Sequence, residues 1–320
     1  MENHIDVIVV GELNVDLILN QIAEFPQIGK EILAQDMALT LGSSSAIFAS
    51  NLSSLGADVL FKGAIGNDMF GDFVISELSG RGVDTSAIIR NQRLKTGATV
   101  AINVGNDRAM VTYPGAMEHY GADEVDQDLL SRAKHLHISS IFLQPALARN
   151  LHTLLAKAKS CNLTTSLDTQ WDPAEKWAID LPALLPLVDV FLPNEAEIKA
   201  LTNQPTVDAA LAHIGTHANT VVVKLGDQGS VAFRDGVKTH VPAYLNNAVV
   251  DAIGAGDSFN AGFIHRYLSG AVLEDCQRFG NLIGAISTTA PGGTGAFSSR
   301  SAVMKKAKDH FNYTENDINS

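Results

Sequence analysis

Cysteine and basic charge are both scarce in this 320-residue sequence. The two cysteines, Cys161 and Cys276, form neither a CxxC pair nor a disulfide framework, which is typical of a protein kept in a reducing compartment. Lysine and arginine number 23 against 35 acidic residues, so the net charge is −12. This balance gives no electrostatic basis for binding nucleic acid or an anionic membrane, and we expect neither as a partner.

Long hydrophobic runs are also missing. The most apolar stretch, residues 181–192, is interrupted by Pro182, Pro186 and Asp189 and falls short of the ~18 apolar residues of a membrane-spanning helix. Residues 1–6 lack the basic and apolar regions of a secretory signal. From these absences we expect a cytoplasmic protein.

Two widespread catalytic motifs are absent as well. The sequence has no GxxxxGK(S/T) phosphate loop, which excludes a P-loop mechanism. It also has no GxSxG nucleophile elbow, which argues against acyl transfer.

Short apolar runs alternate with helix-length segments along most of the chain. The runs are rich in Val, Ile and Leu and nearly continuous, as in parallel strands buried on both faces. The alternation predicts an α/β fold with a mainly parallel central sheet flanked by helices. The predicted strands are 7–10, 59–64, 135–138, 164–167, 188–192 and 220–224. The predicted helices are 44–55, 69–81, 146–161, 195–201, 207–216, 255–268 and 273–289.

Two regions, 12–40 and 96–116, break this alternation. Both read as short, more polar strands with turn residues, and they predict a small separate β-sheet that forms a lid. We place both regions within one domain, residues 1–311. Residues 312–320 are polar and predict a frayed tail.

The most informative segment spans residues 251–263. Gly254, Ala255 and Gly256 precede an apolar helical run, and small residues there let a phosphate approach the unpaired N–H groups at the positive end of a helix. Asp257 would lie in the first turn, where a carboxylate can take the proton of a phosphoryl-accepting hydroxyl. A tight turn followed by an acidic helix-start residue is the alternative that this segment alone leaves open.

Four more segments occur in order along the chain. They are 11–16 (GELNVD), 41–46 (LGSSSA), 193–197 (PNEAE) and 224–229 (KLGDQG), and 251–257 reads DAIGAGD. Together the five resemble the signature motifs of the ribokinase-like, or PfkB, carbohydrate kinases. The resemblance implies an ATP-dependent kinase of ribokinase-like fold that phosphorylates a hydroxymethyl group of a small sugar or polyol.

On the acceptor side, Asn14 and Asp16 alternate on an extended segment, so both can face one side and bind adjacent hydroxyls; a solvated strand end is the alternative. Gly42 lets the backbone approach a ligand, and Ser43 offers a donor, although a helix N-cap fits Ser43 equally well. The resemblance implies that these four residues hold the acceptor. It also implies that Asp257 is the base, while the backbone of Gly254, Ala255 and Gly256 stabilises the transferring phosphoryl group.

On the nucleotide side, the resemblance implies that Asn194 and Glu197 hold Mg²⁺ and its waters; an ordinary capping pair is the alternative. It implies nucleotide contacts at Lys224, whose alternative is a surface lysine, and at Gly226, Gly229, Gly256 and Asn281. It further implies that Asp251 and the carbonyl of Ile253 bind a monovalent cation such as K⁺. The lid is by resemblance also a candidate homodimer contact.

The sequence departs from the family pattern where it bears on the acceptor. Ala46 stands where many sugar kinases have Asn, and Gln170 and Asp172 replace the Asn and Arg of a D-x-N-x-R motif found in fructokinases and 2-keto-3-deoxygluconate kinases. A substrate carboxylate thereby loses one partner, which favours a neutral sugar. A nucleoside kinase, with Phe48, Tyr113 or Trp171 as stacking residues, and a non-catalytic sugar- or nucleotide-binding protein are the alternatives.

Overall fold

The computed structural model describes residues 5–104 and 107–313. Residues 1–4, part of the predicted lid (105–106) and most of the predicted tail (314–320) lie outside the described residues. Within the described ranges, no helix is long and apolar enough to cross a bilayer.

The strands form an eight-stranded sheet, a four-stranded sheet and a two-stranded sheet. They are β1 Ile5–Val10, β2 Asn14–Asn20, β3 Asp36–Leu41, β4 Val59–Lys62, β5 Ala64–Gly66, β6 Ile89–Asn91, β7 Gly97–Val104, β8 Asp107–Tyr113, β9 Ala133–Ser139, β10 Thr164–Asp168, β11 Val190–Phe191, β12 Thr220–Lys224, β13 Ser230–Arg234 and β14 Val237–Val241.

The α-helices include several of only one turn. They are α1 Ser44–Ser54, α2 Met69–Gly80, α3 Gln127–Leu130, α4 Pro145–Arg149, α5 Leu151–Ser160, α6 Leu181–Leu184, α7 Glu195–Thr202, α8 Val207–Ile214, α9 Ala255–Leu268, α10 Leu273–Ser287 and α11 Arg300–Phe311.

The central sheet has the order β14-β13-β12-β11-β10-β9-β1-β4, and β12 through β4 are parallel. Apolar side chains of α1, α2 and α9 pack on one face, and those of α4, α5, α7 and α8 pack on the other. This layered arrangement confirms the predicted fold class. Burial on both faces explains why the strands read as continuous apolar runs.

The differences from the predicted elements are local. The predicted strand 59–64 is two strands, because the chain bends at Gly63, where a Cβ atom would lie 2.6 Å from the carbonyl oxygen of Gly11. The predicted helix 146–161 breaks at Asn150 into α4 and α5. The antiparallel hairpin β13–β14 and the last helix, α11, were not among the predicted elements.

The small sheet has the order β3-β2-β7-β8, which confirms a separate sheet built from the two predicted regions. Its strand register gives it two different faces. Asn14, Asp16 and Thr99 lie on one face, whereas Leu17, Leu39, Val100 and Val111 lie on the other. One face is therefore polar and the other apolar.

The packed structure extends past the predicted domain end at residue 311. Tyr313 is buried, and its ring lies 6.2 Å from that of Phe279 on α10. This aromatic side chain is therefore part of the packed core.

Candidate active site

Parallel strands β1, β9, β10 and β12 all end at the same edge of the central sheet. Polar side chains follow there: Glu12 just after β1, Ser139 at the end of β9, Asp168 at the end of β10 and Lys224 at the end of β12. All four are largely buried. This edge is where ligands bind in open α/β sheets.

Asp257 lies in the first turn of α9, as the sequence predicts. The preceding turn needs Gly254, whose φ is +72° and whose Cβ position would lie 2.5 Å from the Cα of Gly293. Asp257 is only 7% exposed. Burial first, and the nearby Asp168 carboxylate second, raise the pKa of Asp257 to about 7. A carboxyl with such a pKa can accept a proton near neutral pH.

The start of α9 presents free N–H groups. Among the described residues, the N–H groups of Gly256 and Asp257 have no hydrogen-bond partner, whereas that of Ala255 donates to the carbonyl of Ala252 at 3.3 Å. The positive end of the helix dipole adds to these donors. The turn is thus able to bind an anionic group, the role expected for Gly254, Ala255 and Gly256.

A hydrogen-bond network centres on the buried carboxylate of Asp168. Its Oδ2 accepts from Lys224 Nζ at 2.7 Å, Asn260 Nδ2 at 2.6 Å and Gln170 Nε2 at 2.9 Å. The same Gln170 Nε2 also donates to Asp257 Oδ1 at 2.9 Å. Asp168 therefore links the strand edge to the first turns of α9.

Lys224 is not the surface lysine that was the alternative interpretation. Burial, the largest effect, acts to lower its pKa, but the Asp168 and Glu197 carboxylates raise the pKa above its ordinary value. The ammonium group is therefore charged. Its Nζ would lie 3.6 Å from a Cβ atom placed on Gly256, so it flanks the start of α9.

A cavity of about 340 Å³ opens beside this lysine. The predicted nucleotide contacts Lys224, Gly226, Gly229, Gly256 and Asn281 all line it. Asn281 Nδ2 donates to the carbonyl oxygens of Val241 and Pro242, both at 3.1 Å, and so fixes the opposite wall. The structure brings these dispersed residues to one cavity.

The predicted acceptor residues also come together. A Cβ atom on Gly42 would lie 2.4 Å from Asp16 Oδ1 and 2.6 Å from Asn14 Nδ2, so a larger residue there would displace these two side chains. Asn14 Nδ2 donates to Thr99 Oγ1 at 3.1 Å across the small sheet. The hydroxyl of Ser43 caps α1: it accepts from Ala46 N and donates to the carbonyl of Glu12, which matches the N-cap alternative.

Asn194 and Glu197 form a complete capping box at the start of α7. Asn194 Oδ1 accepts from Glu197 N at 2.9 Å, and Glu197 Oε2 accepts from Asn194 N at 2.8 Å. Burial and then Asp168 raise the pKa of Glu197 to about 7. A main-chain bridge to Lys224 holds Asn194 beside the cavity. The capping interaction that was the alternative interpretation is therefore present, and the pair lies beside the cavity.

Mg²⁺ fits this pair through its bound waters. Burial first and the Asp168 carboxylate second disfavour the charge on Glu197, a divalent cation beside it would favour that charge, and carboxylate and amide oxygens suit the ion. Within the described ranges, no group of three or more His, Cys, Asp or Glu side chains is arranged to hold a metal directly. Direct ligation would also break the capping box.

Asp251 joins the two loops expected to bind a monovalent cation. Its Oδ1 accepts from Ile253 N and its Oδ2 from Gly292 N, each at 2.9 Å. Asp251 and Gly292 also line a larger cavity, about 1150 Å³, which separates these loops from the polar face of the small sheet. Ile253 lies four residues before Asp257, on the far side of the Gly254 turn.

The main residues that sequence reasoning missed are Gln170, Asn260 and Glu12. Glu12 is fully buried, which raises its pKa, and it bonds the hydroxyl of Ser45. The signal for Gln170 was its position just after a predicted strand of the parallel sheet. Asn260 could have been found from its spacing, because it lies three residues after Asp257 and therefore on the same face of α9.

Of the predicted stacking residues, two lie away from this site. Phe48 is buried and stacks on His137 with 3.7 Å between ring centroids. Tyr113 pairs with Ala98 on the apolar face of the small sheet. Trp171 follows Gln170 directly and is 49% exposed.

A buried carboxyl at a helix start, free N–H groups and an adjoining cavity define the site of a phosphotransferase. A model of the pfkB family carbohydrate kinases matches residues 4–300. The chain therefore belongs to this family, and it is an ATP-dependent carbohydrate kinase.

Individual relatives agree with this assignment. The chain is 30% identical over 267 residues to a 2-dehydro-3-deoxygluconokinase of Bacillus subtilis, which covers 79% of the chain and 82% of the relative. It matches the crystal structure of a ribokinase from Thermotoga maritima with a TM-score of 0.82 and 27% identity over 95% of the chain and 100% of the ribokinase. A putative ribokinase II from E. coli, solved with ATP and Mg²⁺, matches with a TM-score of 0.79 and 23% identity over 96% and 100%, a likeness of fold.

Proposed function

We propose that this kinase transfers the γ-phosphoryl group of ATP to a hydroxymethyl group of a small neutral sugar or polyol. The position of Asp257 carries the proposal. On one side its neighbour Gly256 lines the cavity with Lys224, and on the other the hydroxyl of Ser44, next to the predicted acceptor residue Ser43, lies close enough to favour its charged form. A base in this position lies between the phosphates of a nucleotide and the hydroxyl of an acceptor.

In the proposed reaction, the acceptor oxygen bonds to the γ-phosphorus while the bond from that phosphorus to the bridging oxygen of ADP breaks. Asp257 takes the hydroxyl proton. The N–H groups at the start of α9, with Lys224 beside them, stabilise the negative charge on the transferring group. Asn194 and Glu197 would hold Mg²⁺ through its waters, and the bound ion would supply positive charge to the phosphates.

The acceptor residues support a neutral substrate. Asn14, Asp16 and Thr99 offer amide, carboxylate and hydroxyl groups on one face of the small sheet, and none is a cation. Asp172, which replaces the family arginine, is 5% exposed and accepts from the N–H groups of Lys176 and Trp177 at 2.8 and 2.7 Å. Its carboxylate shapes the loop, so a substrate carboxylate would lack the partner that the arginine provides. The Bacillus subtilis relative, by contrast, is named as a kinase of a sugar acid.

The small sheet supports two further parts of the proposal. Its polar face closes over the acceptor as a lid that excludes water, which would otherwise compete as acceptor. Its apolar face leaves Met37, Val111 and Tyr113 more than half exposed, and we propose that a second copy of the chain covers it in a homodimer. Sedimentation of Val111→Lys beside wild type tests this: monomeric wild type would contradict it.

A monovalent cation and a cytoplasmic location complete the proposal. The Asp251 carboxylate holds the two loops together through the N–H groups of Ile253 and Gly292, and we propose that Asp251 and the carbonyl of Ile253 bind a cation such as K⁺. Activity measured in K⁺ and in a tetraalkylammonium salt at equal ionic strength tests this part. The use of ATP as phosphoryl donor supports the proposed cytoplasmic location, because ATP is supplied there.

A nucleoside is the second candidate acceptor, favoured by the exposed Trp171 beside Gln170. An ADP-release assay over pentoses, hexoses, polyols, sugar acids, sugar phosphates and nucleosides separates the candidates. We expect turnover with a neutral sugar or polyol and its loss in Asp257→Asn. Turnover confined to nucleosides or sugar phosphates would overturn the proposed acceptor, and full activity of Asp257→Asn would overturn the proposed base.

A further inference from the structure

Gln170 joins the two carboxylates at the centre of the site. Its Nε2 lies 2.9 Å from Asp257 Oδ1 and 2.9 Å from Asp168 Oδ2. The Nε2 group carries two hydrogens, so this one nitrogen can donate to an oxygen of each carboxylate. The side chain thus acts as a double donor.

The backbone of Gln170 is held in an unusual conformation. Its φ is +58°, in the left-handed region that non-glycine residues rarely adopt. Its own N–H donates to Asp168 Oδ1 at 3.3 Å, and Lys224 and Asn260 fix the same aspartate. Such conformations persist where the surroundings determine them, and they cluster at functional sites. Gln170 is therefore anchored to Asp168 through both backbone and side chain.

Building on the proposed function, we propose that Gln170 is the positioning residue of the base: it holds Asp257 Oδ1, so that Oδ2 is the oxygen that takes the acceptor proton. A carboxylate bound through one oxygen cannot rotate freely, and its second oxygen keeps a fixed direction. The bond also favours the charged form of Asp257, the only form that accepts a proton.

The groups around Asp257 make this donor important. Asp168 from β10 and Glu12 after β1 disfavour a second negative charge, whereas Lys224 from β12 and the hydroxyl of Ser44 on α1 favour it. Lys224 Nζ bonds directly to Asp168. Gln170 Nε2 bonds to both aspartates, so it is placed to offset the repulsion between them.

Gln170→Leu tests the proposal, because leucine keeps the bulk and meets a similar backbone restriction at this φ, but donates nothing. We expect the acid limb of the pH profile of kcat/KM for the acceptor to move up by about one pH unit. Activity at pH 6 should then fall about tenfold more than activity at pH 9. An active Gln170→Leu enzyme with the wild-type acid limb would overturn the proposal.

Gln277→Leu is the matched control. Gln277 on α10 is also buried and donates to the carbonyls of Ser230 and Thr239, at 3.1 and 3.2 Å. Its loss should lower the melting temperature and leave the acid limb in place, and a shift equal to that of Gln170→Leu would count against the proposal. If Gln170→Leu does not fold, Gln170→Asn carries the same test, since asparagine favours this φ and its shorter amide does not reach Asp257.

A measurement without turnover separates this proposal from the proposed function. The ¹³C shift of the Asp257 carboxyl carbon, assigned with Asp257→Asn, gives its pKa in the free enzyme. A higher pKa in Gln170→Leu supports the positioning role even if the acceptor proves to be a different one. An unchanged pKa overturns it even if the sugar kinase activity is found.

Discussion

Lys224 Nζ lies 2.7 Å from Asp168 Oδ2, and only 11% of the lysine side chain and none of the aspartate side chain is exposed. This buried pair stands between the nucleotide cavity and the base. Removing one member leaves the other charge buried without compensation, whereas the intact pair adds little net stability.

Lys224→Met should therefore destabilise the protein by about 3–5 kcal/mol and weaken nucleotide binding. Chemical denaturation and nucleotide titration measure the two effects. Lys238→Met is the control: Lys238 pairs with Asp208, and about half or more of each side chain is exposed, so we expect a change within about 1 kcal/mol and unchanged nucleotide affinity. Equal destabilisation of the two variants would contradict the role given to burial.

Asp257→Asn should lower kcat by about 10²–10⁴ while nucleotide still binds, because asparagine keeps the shape but accepts no proton. It should also stabilise the protein at pH 8. The native pKa of about 7 lies above the ordinary aspartate value, so the charged carboxylate costs stability at pH values above it. Calorimetry at pH 5 and pH 8 measures the difference, and a variant less stable than wild type at pH 8 would count against it.

The pH profile of kcat/KM should carry an acid limb near pH 7. Asp257 must be charged to accept a proton, so activity rises with pH up to its pKa of about 7 and levels off above it. Initial rates at acceptor concentrations far below KM give this profile. An acid limb near pH 4, the range of an exposed aspartate, would show that the base is another group or that Asp257 is better solvated in solution.

Glu197→Gln should raise the Mg²⁺ concentration needed for half-maximal activity, because it removes the negative charge that favours the ion but keeps an oxygen for the Asn194 N–H. The glutamine oxygen can keep the bond from Asn194 N, but its amide nitrogen cannot accept from Asn194 Nδ2, so we also expect a lower melting temperature. Glu195→Gln is the control on the same helix, where Glu195 pairs with Lys199 at the surface. A purely structural Glu197 would give the same Mg²⁺ dependence in both variants.

A neutral sugar should be a better acceptor than a sugar acid by about tenfold or more in kcat/KM, because the described acceptor residues Asn14, Asp16 and Thr99 include no cation for a carboxylate. Parallel assays with fructose, ribose, 2-keto-3-deoxygluconate and a sugar phosphate measure the ratio. Preference for the acid would mean that a lysine or arginine outside the predicted acceptor residues reaches the substrate.

The layered fold and most of its elements could be predicted because both depend on local patterns. Strand β12 and helix α9 have the predicted bounds, since a continuous apolar run and a glycine-led helix start are clear over short distances. The hairpin β13–β14 was missed because β14 lies at the sheet edge, where Val237 and Lys238 are exposed and the strand shows little apolar pattern. Edge strands carry less of the apolar signal than central ones.

The candidate site could be predicted only in part. Asp257, Gly256 and Lys224 follow motifs that are contiguous in sequence. Asn260 contacts Asp168, 92 residues away, and Gln170 contacts Asp257, 87 residues away, and local sequence patterns do not predict contacts at such separations. The capping box of Asn194 and Glu197 shows a further limit. The same short motif can cap a helix or bind a metal ion, and the sequence alone does not distinguish these two roles.

The lid has a consequence for how the protein folds. Its parallel pair β2–β7 aligns Asn14 with Gly97, two points separated by much of the first half of the chain, so the small sheet closes only after the intervening chain has folded. Amide hydrogen exchange should then show the lid opening at lower free energy than the central sheet. Because Asn14 and Asp16 belong to it, acceptor binding and the assembly of this sheet form one linked equilibrium, and a true acceptor would slow exchange in β2 and β7 by a factor that rises with its concentration relative to its Kd.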